Sequence, residues 1–430
     1  MERKFTNEIT KELVGKKVLV KGWVFDVRVL GGINFVVLRD KNGYIQITAK
    51  KGEVKDVILQ IVSKLHQEDV IEVEGIVKES KQAKKGVEIL PEKIEVISKA
   101  EVPLPLDPRM VTPANLDTKL NWRFLWFRTE EARAIFGIQN EILKAFREFF
   151  YNNGFIEMQP PIIIGSASEG GAELFELPYF EKKAYLAQSP QLYKQMGAVS
   201  FERVFMITPI FRAEKFDQPT HLNEVRQMDV EIAFADYEEA MDWLEKALVY
   251  IVESVLKNRK KELEVLNVEL KVPKQPFPRI TYEEAIKALQ KEGEKIEYGD
   301  DFSKLQERKL GEIFGEAFFI KDWPEEQKAF YAMPKEDNPK IVKAFDLIYK
   351  GLEISSGTQR IHIPELLEKR IREKGLDPKD FKFYIDAFRY GAPPHSGWSI
   401  GLERLTMQIC GKKNIKEVTM FPRTRERITP

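Results

Sequence analysis

Between residues 16 and 100, apolar residues recur at every second position in five short runs: KKVLVKGWVFDVR, NFVVLRD, YIQITA, DVIEVEGIV and GVEILPEKIEVI. That spacing belongs to strands with one buried face. Gly31-Gly32 and Lys41-Asn42-Gly43 supply tight turns between the first three. One amphipathic stretch, VKDVILQIVSKLH, separates the third run from the fourth. Five strands with a single helix after the third is the order of an OB barrel. A generic small β-barrel would carry the same pattern.

The texture changes after EVPLPLDPRMVTPANLDT, residues 101–118, which hold four prolines and little periodicity. Such a stretch reads as a hinge. It separates an N-terminal barrel domain, 1–100, from an α+β domain, 119–430. A chain of 430 residues is too long for one core. In the second domain, EEARAIFGIQNEILKAFREFFYNNG and YEEAMDWLEKALVYIVESVLKNRKKELE have helical spacing, the first ending at Gly154. FIEMQPPIII, KAYLAQ, RVFMITPIF, MDVEIAF and AFDLIYKGLEIS read as strands; IPELLEKRIREKG, FKFYIDAFRYG and a last segment from about Ser399 read as helices. Residues 265–335 read as a peripheral insertion without chemistry.

Composition narrows the function. Lys and Arg number 68, as do Asp and Glu, so a polyanion must be held by a local patch. The single cysteine, Cys410, excludes disulfides and thiolate metal cages and fits a reducing compartment. MERKFTNEITKELVGKK has no apolar signal core, and no later run reaches the length of a membrane span. The expectation is a soluble, cytoplasmic protein.

Four stretches concentrate polar residues. In PIFRAEKFDQPTHLNEVRQMDVEIAF, Arg212 and Glu214 are two apart, as are Asp229 and Glu231 on the return strand, so each pair shares a face. SGWSIGLERLTMQI carries Gly397 and Gly401 before Arg404. AFDLIYKGLEISSGTQRIH offers Asp346, Glu353 and Ser356 as oxygen donors, with Arg360 beyond. LAQSPQLYKQ places Gln188, Gln191 and Lys194 after a strand end. Neither GxxxxGK[ST] nor GxGxxG after a strand occurs, so any nucleotide must be gripped by arginines, with Mg2+ on hard oxygen ligands. Each stretch alone is ordinary: a surface ion pair, a packing glycine, solvated acids. Only convergence on one site would change that.

These stretches together resemble a class II aminoacyl-tRNA synthetase of the aspartate, asparagine and lysine subgroup, most closely the archaeal-type aspartate enzymes, over essentially the whole chain. The helix leading into FIEMQPP with Pro161, FRAE…HLNE…DVE and GLERL stand as its three motifs. The resemblance implies an α+β multidomain fold, a five-stranded OB-fold β-barrel followed by an antiparallel sheet flanked by helices. It implies a homodimer, ATP and Mg2+, and the partners L-aspartate and tRNA(Asp). By the same resemblance Arg212 grips the α-phosphate, Glu214 reads the adenine amino group, His221 and Leu222 lie beside the nucleotide, and Gly401 and Arg404 reach the γ-phosphate end. Asp346, Glu353 and Ser356 bind Mg2+. The implied reaction is attack of an amino-acid carboxylate on the α-phosphorus, then transfer of the acyl group to the tRNA 3′ end.

Lys194 and Arg360 would pair the substrate's side-chain carboxylate, with Asp229 holding the cations and Ser356 nearby; by the resemblance Gln191 completes the substrate pocket, and Glu169 of SASEGG would take the α-amino group. QSPQLYKQ and MDVE follow the aspartate pattern at both discriminating positions. Thr220 stands where many relatives carry arginine, and Val225 where many carry an adenine-stacking aromatic. His395 of PPHSG falls in the family's active-site wall, without an assigned role. In the barrel, Phe35, Gln46 and Arg28 match anticodon-reading positions: an aromatic can stack a splayed base and an amide can read its edge. Lysines 78, 81, 84 and 85 form a local basic loop. Phe25 and Lys84 lean towards an enzyme that also charges tRNA(Asn), a choice the residues leave open. An asparagine–tRNA ligase is the nearest rival; a silent RNA-binding paralogue should have lost Arg212, Arg404 or the metal acids.

Overall fold

The alternating runs of the first hundred residues pair as β1 (Lys17–Leu30), β2 (Ile33–Asp40), β3 (Gly43–Lys50), β4 (Val70–Glu79) and β5 (Val87–Ser98). They close into a barrel of order β1-β2-β3-β5-β4, with the helix Asp56–Val62 between β3 and β4. Val20, Val24, Val36, Leu38, Ile45, Ile47, Ile71, Val73 and Ile89 fill it, each nearly inaccessible. Antiparallel partners point to one side, so Arg28 lies opposite Phe35, Phe35 opposite Thr48, and Val37 opposite Gln46 on the outer wall. The computed structural model describes residues 1–165, 174–215 and 218–430. It divides into two compact units, Met1–Pro113 and Ala114–Pro430. No described helix is long and apolar enough to cross a membrane.

The second unit is built on β6 (Ile156–Glu157), a small sheet of β7 (Ile163–Ile164), β8 (Glu176–Tyr179) and β9 (Lys182–Leu186), and then β10 (Arg203–Phe211) and β11 (Glu224–Ala233). β12 (Arg279–Thr281), β13 (Ala317–Pro324), β14 (Ile341–Tyr349), β15 (Leu352–Gln359) and β16 (His395–Gly401) complete it. The main sheet runs β12-β13-β14-β15-β16-β11-β10-β6. It is antiparallel except at its two edges, where β12 pairs with β13 and β6 with β10 in parallel. The register sorts its residues by face. Phe205, Val230 and Trp398 form one lateral row, and the helix Glu130–Asn152 packs Phe146 and Phe150 onto it. The next row, Asp229, Ser399, Ser356 and Asp346, alternates to the opposite face. Apolar residues on one face and acids and hydroxyls on the other is the pattern of an antiparallel sheet with one face packed on a core.

Three sequence expectations are corrected. AFDLIYKGLEIS is two strands, because Lys350 and Gly351 both take positive φ and turn the chain into the hairpin β14–β15. Ser399 lies in β16; the helix begins at Leu402, since Gly397 and Ser399 are held in ladders on both sides. The segment 265–335 is not peripheral: it supplies β12, β13 and part of the cavity wall. Its apolar residues Tyr282, Phe302 and Trp323 pack one core with Val342 and Ala344 of β14.

Candidate active site

A cavity of about 610 Å³ opens on the polar face of the sheet. Arg212, Glu214, His221 and Leu222 line it from the β10–β11 connection, and Glu353 and Ser356 from β15. Gly401 and Arg404 close it from the start of the last helix. Arg212 and Glu214 lie just past the end of β10 rather than on the strand, 3.9 Å apart at their charged atoms. Arg404 donates to the Glu353 carbonyl at 3.2 Å and stands 3.7 Å from its carboxylate. Thr220 and Val225 face the same space.

Residues that sequence reasoning missed complete the wall. Lys304 and Glu307 come from the first turn of the helix Lys304–Phe314, which Ser303 caps. Lys304 pairs with Glu307 at 2.6 Å, and Glu307 accepts the Glu353 backbone N–H at 2.9 Å. A capping box in DDFSKLQE marks that helix start, but nothing local to it says where the start points. The field is read by His221: burial, then Arg404, Lys304 and Arg212, bring its pKa down to about 4. Burial is the larger cause and says nothing of sign; the three cations, Arg404, Lys304 and Arg212, are what suit this wall to anions. Among the described residues, the buried Gln227 Oε1, Ser355 Oγ and Ser399 Oγ at this wall make no hydrogen bond. Buried polar atoms are rarely left so, and a polar ligand would satisfy them.

Beside the cavity, in the same sheet face, lies a buried charge quartet. Lys194, on the helix Gln191–Phe201, donates to Asp229 at 2.9 Å and to the Trp398 carbonyl at 3.2 Å, and stands 3.5 Å from Glu231. Arg360 grips Glu231 through two N–H groups, at 2.8 and 3.1 Å, and gives a third to Thr358 at 2.7 Å. All four charged side chains are at most 3% exposed. Burial would raise the Glu231 carboxyl, but Arg360 and then Lys194 bring it down; for Asp229, burial prevails over Lys194 and the pKa is raised.

This corrects one expectation. Asp229 does not hold both cations: Glu231 holds Arg360, so two positive groups already face two negative ones. Glu231 was visible in DVE as a second acid on the Asp229 face, but its partner is 129 residues away and no local signal joins them. The ammonium of Lys194 has an acceptor for each hydrogen, whereas Arg360 uses three of its five N–H bonds. Arg360 is the group with donors to spare.

Asp346 does not line the cavity. Lys328 takes its two oxygens at 2.9 and 2.7 Å, and Lys328 also sits over the Trp323 ring. Burial and the neighbouring Glu353 raise Asp346, while Arg404 and three more cations bring Glu353 down. The oxygen donors expected for a cation are thus two carboxylates and the Ser356 hydroxyl. Among the described residues no group of three or more acids, histidines or cysteines is placed to hold a metal ion by itself. Glu169 lies outside the described residues.

In the barrel, Phe35 is half-buried, Phe25 packs on Tyr44, and Arg28 is exposed and tied to Asp26 at 3.1 Å. The Gln46 amide nitrogen donates to Glu88 at 2.8 Å and to Thr48 at 3.3 Å, so its carbonyl oxygen is the atom outside these bonds. Of the lysine loop, Lys78 is taken by Glu53 and Lys85 by the Thr6 carbonyl; Lys81 and Lys84 are exposed.

An antiparallel sheet bearing such a cavity on one face, preceded in the chain by an OB barrel, is the arrangement that the resemblance to class II synthetases implied. Residues 115–425 match the family described as tRNA synthetases class II (D, K and N), and residues 18–97 match the OB-fold nucleic acid binding domain. The chain belongs to that class II family. Its members are ligases and use ATP. The chain is 49% identical over 427 residues to a Methanocaldococcus jannaschii protein named aspartate–tRNA(Asp/Asn) ligase, covering 99% of this chain and 98% of the relative. It is 50% identical over 433 residues to a Pyrococcus abyssi aspartate–tRNA(Asp) ligase, covering 99% of each. Among solved structures, an asparaginyl-tRNA synthetase from Pyrococcus horikoshii complexed with asparaginyl-adenylate is similar with a TM-score of 0.95 at 39% identity, covering 100% of each chain. An aspartyl-tRNA synthetase from Entamoeba histolytica is similar with a TM-score of 0.89 at 34% identity, covering 100% of this chain and 93% of that one.

Proposed function

We propose that the chain is an aspartate–tRNA ligase. It joins L-aspartate to ATP as aspartyl-adenylate and passes the aspartyl group to the 3′ end of tRNA(Asp). The observation that carries this is the buried quartet, in which Arg360 keeps N–H groups for a carboxylate ligand beside an arginine-bearing cavity.

In the first step a carboxylate oxygen of aspartate attacks the α-phosphorus; the new O–P bond forms as the bond to the β-phosphate oxygen breaks, and pyrophosphate leaves with the electron pair. Positioning and charge neutralisation do the work, and no general base is needed. Arg212 holds the α-phosphate and Arg404 the distal phosphates, Glu214 accepts from the adenine amino group, and His221, Leu222 and Gly401 shape the nucleotide's walls. His221 is neutral in this field, so it acts as a hydrogen-bonding surface rather than a charge. Asp346, Glu353 and Ser356 would hold Mg2+, which when bound offsets phosphate charge. Arg360 takes the substrate's side-chain carboxylate, with Lys194 beside it. Gln191, together with Glu169, takes the α-ammonium group.

Discrimination against asparagine follows from donor chemistry. A carboxylate accepts the spare Arg360 N–H groups at both oxygens; an amide meets them with one NH2. Leaving a buried donor to a charged group unmet costs about 1.5–3 kcal/mol, roughly ten- to a hundredfold. Phe35, Gln46, Arg28, Phe25 and Lys84 form the anticodon face of the barrel, and tRNA(Asn) is a second acceptor in the reading. A homodimer completes it, formed through the exposed apolar residues Ile156, Ile162 and Ile163 around Pro161.

ATP–pyrophosphate exchange with each amino acid tests the assignment, with both purified tRNAs charged in parallel. Exchange supported by aspartate is expected. Preference for asparagine would replace this reading with the asparagine ligase, and sedimentation as a monomer would remove the dimer.

A further inference from the structure

Gln195 follows Lys194 in the same helix and is wholly buried, with hydrogen-bond partners on three sides. Gln191 Nε2 donates to its Oε1 at 2.8 Å, and the Tyr384 hydroxyl donates to the same oxygen at 2.7 Å. Its Nε2 meets His395 Nε2 at 2.9 Å, and His395 Nδ1 lies 2.8 Å from the Pro393 carbonyl. Phe388 stacks on the imidazole at 5.7 Å and 14°, fixing the ring plane.

The direction of every bond follows from one end. A carbonyl only accepts, so His395 Nδ1 carries the hydrogen. The ring is inaccessible and burial lowers its pKa, so it is neutral and Nε2 is an acceptor. Gln195 must therefore offer Nε2 to His395 and Oε1 to Tyr384 and Gln191. Gln191 must in turn give its NH2 to Gln195. Its Oε1 makes no hydrogen bond among the described residues.

We infer that Gln195, held by His395 and Tyr384, is a positioning residue that sets the Gln191 amide with its oxygen towards the substrate's α-ammonium group. This rests on the reading of Gln191 as a ligand of that group. A freely turning amide would offer NH2 half the time, and two donors repel. The relay removes that alternative before substrate binds.

Succinate makes the test specific, because it carries both carboxylates of aspartate and no amino group. In Gln195→Met the KM for aspartate should rise about tenfold, the order of one hydrogen bond to a charged group. The inhibition constant of succinate and the KM for ATP should move by no more than about twofold, within the scatter of a neutral change. Gln195→Glu keeps an acceptor towards Gln191 and Tyr384, and should hold the aspartate-to-succinate ratio near the parent's. Equal losses for aspartate and succinate in Gln195→Met, no loss for aspartate, or a Gln195→Glu enzyme as impaired as Gln195→Met would each overturn the inference. Gln191→Met separates the two claims. If it too weakens aspartate no more than succinate, the reading of Gln191 fails; if it weakens aspartate selectively while Gln195→Met does not, this inference alone fails.

Discussion

Glu231 and Arg212 are both charged, and the structure assigns them opposite economies. Glu231 is inaccessible and bidentate to Arg360, so Glu231→Gln leaves a buried guanidinium without its counter-charge. Stability should fall by about 3 kcal/mol or more, read as a lower denaturant midpoint, and the KM for aspartate should rise at least about tenfold. Arg212 is 44% exposed at its side chain. Arg212→Ala should leave the midpoint within about 0.5 kcal/mol while kcat/KM for ATP falls about a hundredfold. Glu403, buried and accepting the Arg226 backbone N–H, has its pKa raised by burial to about 7 from 4.5. The folded chain therefore holds a proton there more tightly than the unfolded chain. That stability is fully present below pH 4.5 and is lost as pH rises through about 7. It is on the order of 3 kcal/mol. Glu403→Gln should lack this decline, so parent and variant midpoints should diverge between pH 5 and 8. Lys194 and Asp229 were legible in the sequence because each sits in a short motif. Glu231 was legible as an acid on the Asp229 face but not as the partner of Arg360, 129 residues on; Lys304 and Lys328 were not legible, because nothing local to them says that their segments reach this sheet face.

At the scale of elements, β16 shows how tightly the site is built into the sheet. A Cβ on Gly397 would fall inside the contact radius of Glu231 Oε2 and of the Val230 carbonyl. Gly397→Ala must therefore push the carboxylate off Arg360 or open the β11–β16 ladder, and should cost about 3 kcal/mol or more, at the upper end of overpacking. Gly401, four residues on, would meet only the Arg404 side chain at ordinary contact distances. Gly401→Ala should change the midpoint by less than about 1 kcal/mol. Thermal unfolding of the two variants side by side checks the contrast. Strands with clear alternation, such as RVFMITPIF and MDVEIAF, were legible. The β14–β15 hairpin was not, because Lys350-Gly351 lacks the asparagine or aspartate that usually announces a tight turn. β16 was hidden by its glycines and serines, whose strand geometry comes from neighbours on both sides.

For the whole molecule, the chain divides at Pro113–Ala114 into two compact units, and the proposed reading gives each its own chemistry. Phe35 belongs to the barrel's own outer wall, so Phe35→Ala should lower kcat/KM for tRNA charging about tenfold, the loss of one base–aromatic stack. Pyrophosphate exchange, which needs no tRNA, should be unchanged; a loss in both assays would refute the assignment of Phe35 to RNA. The barrel was legible in outline because five alternating runs and one helix admit few closures. The Gln46–Glu88 contact was not, since β3 and β5 meet only on closure. The row Asp229, Ser399, Ser356 and Asp346 has a consequence for how such a chain can vary. Each member is presented to the ligands only because it lies an even number of positions along its strand from the other residues of that face. Removing Gln227 from β11 would turn Met228 and Val230 to the ligand face and send Asp229 and Glu231 to the helix side. Descendants of this gene can therefore exchange letters within these strands far more freely than they can gain or lose one.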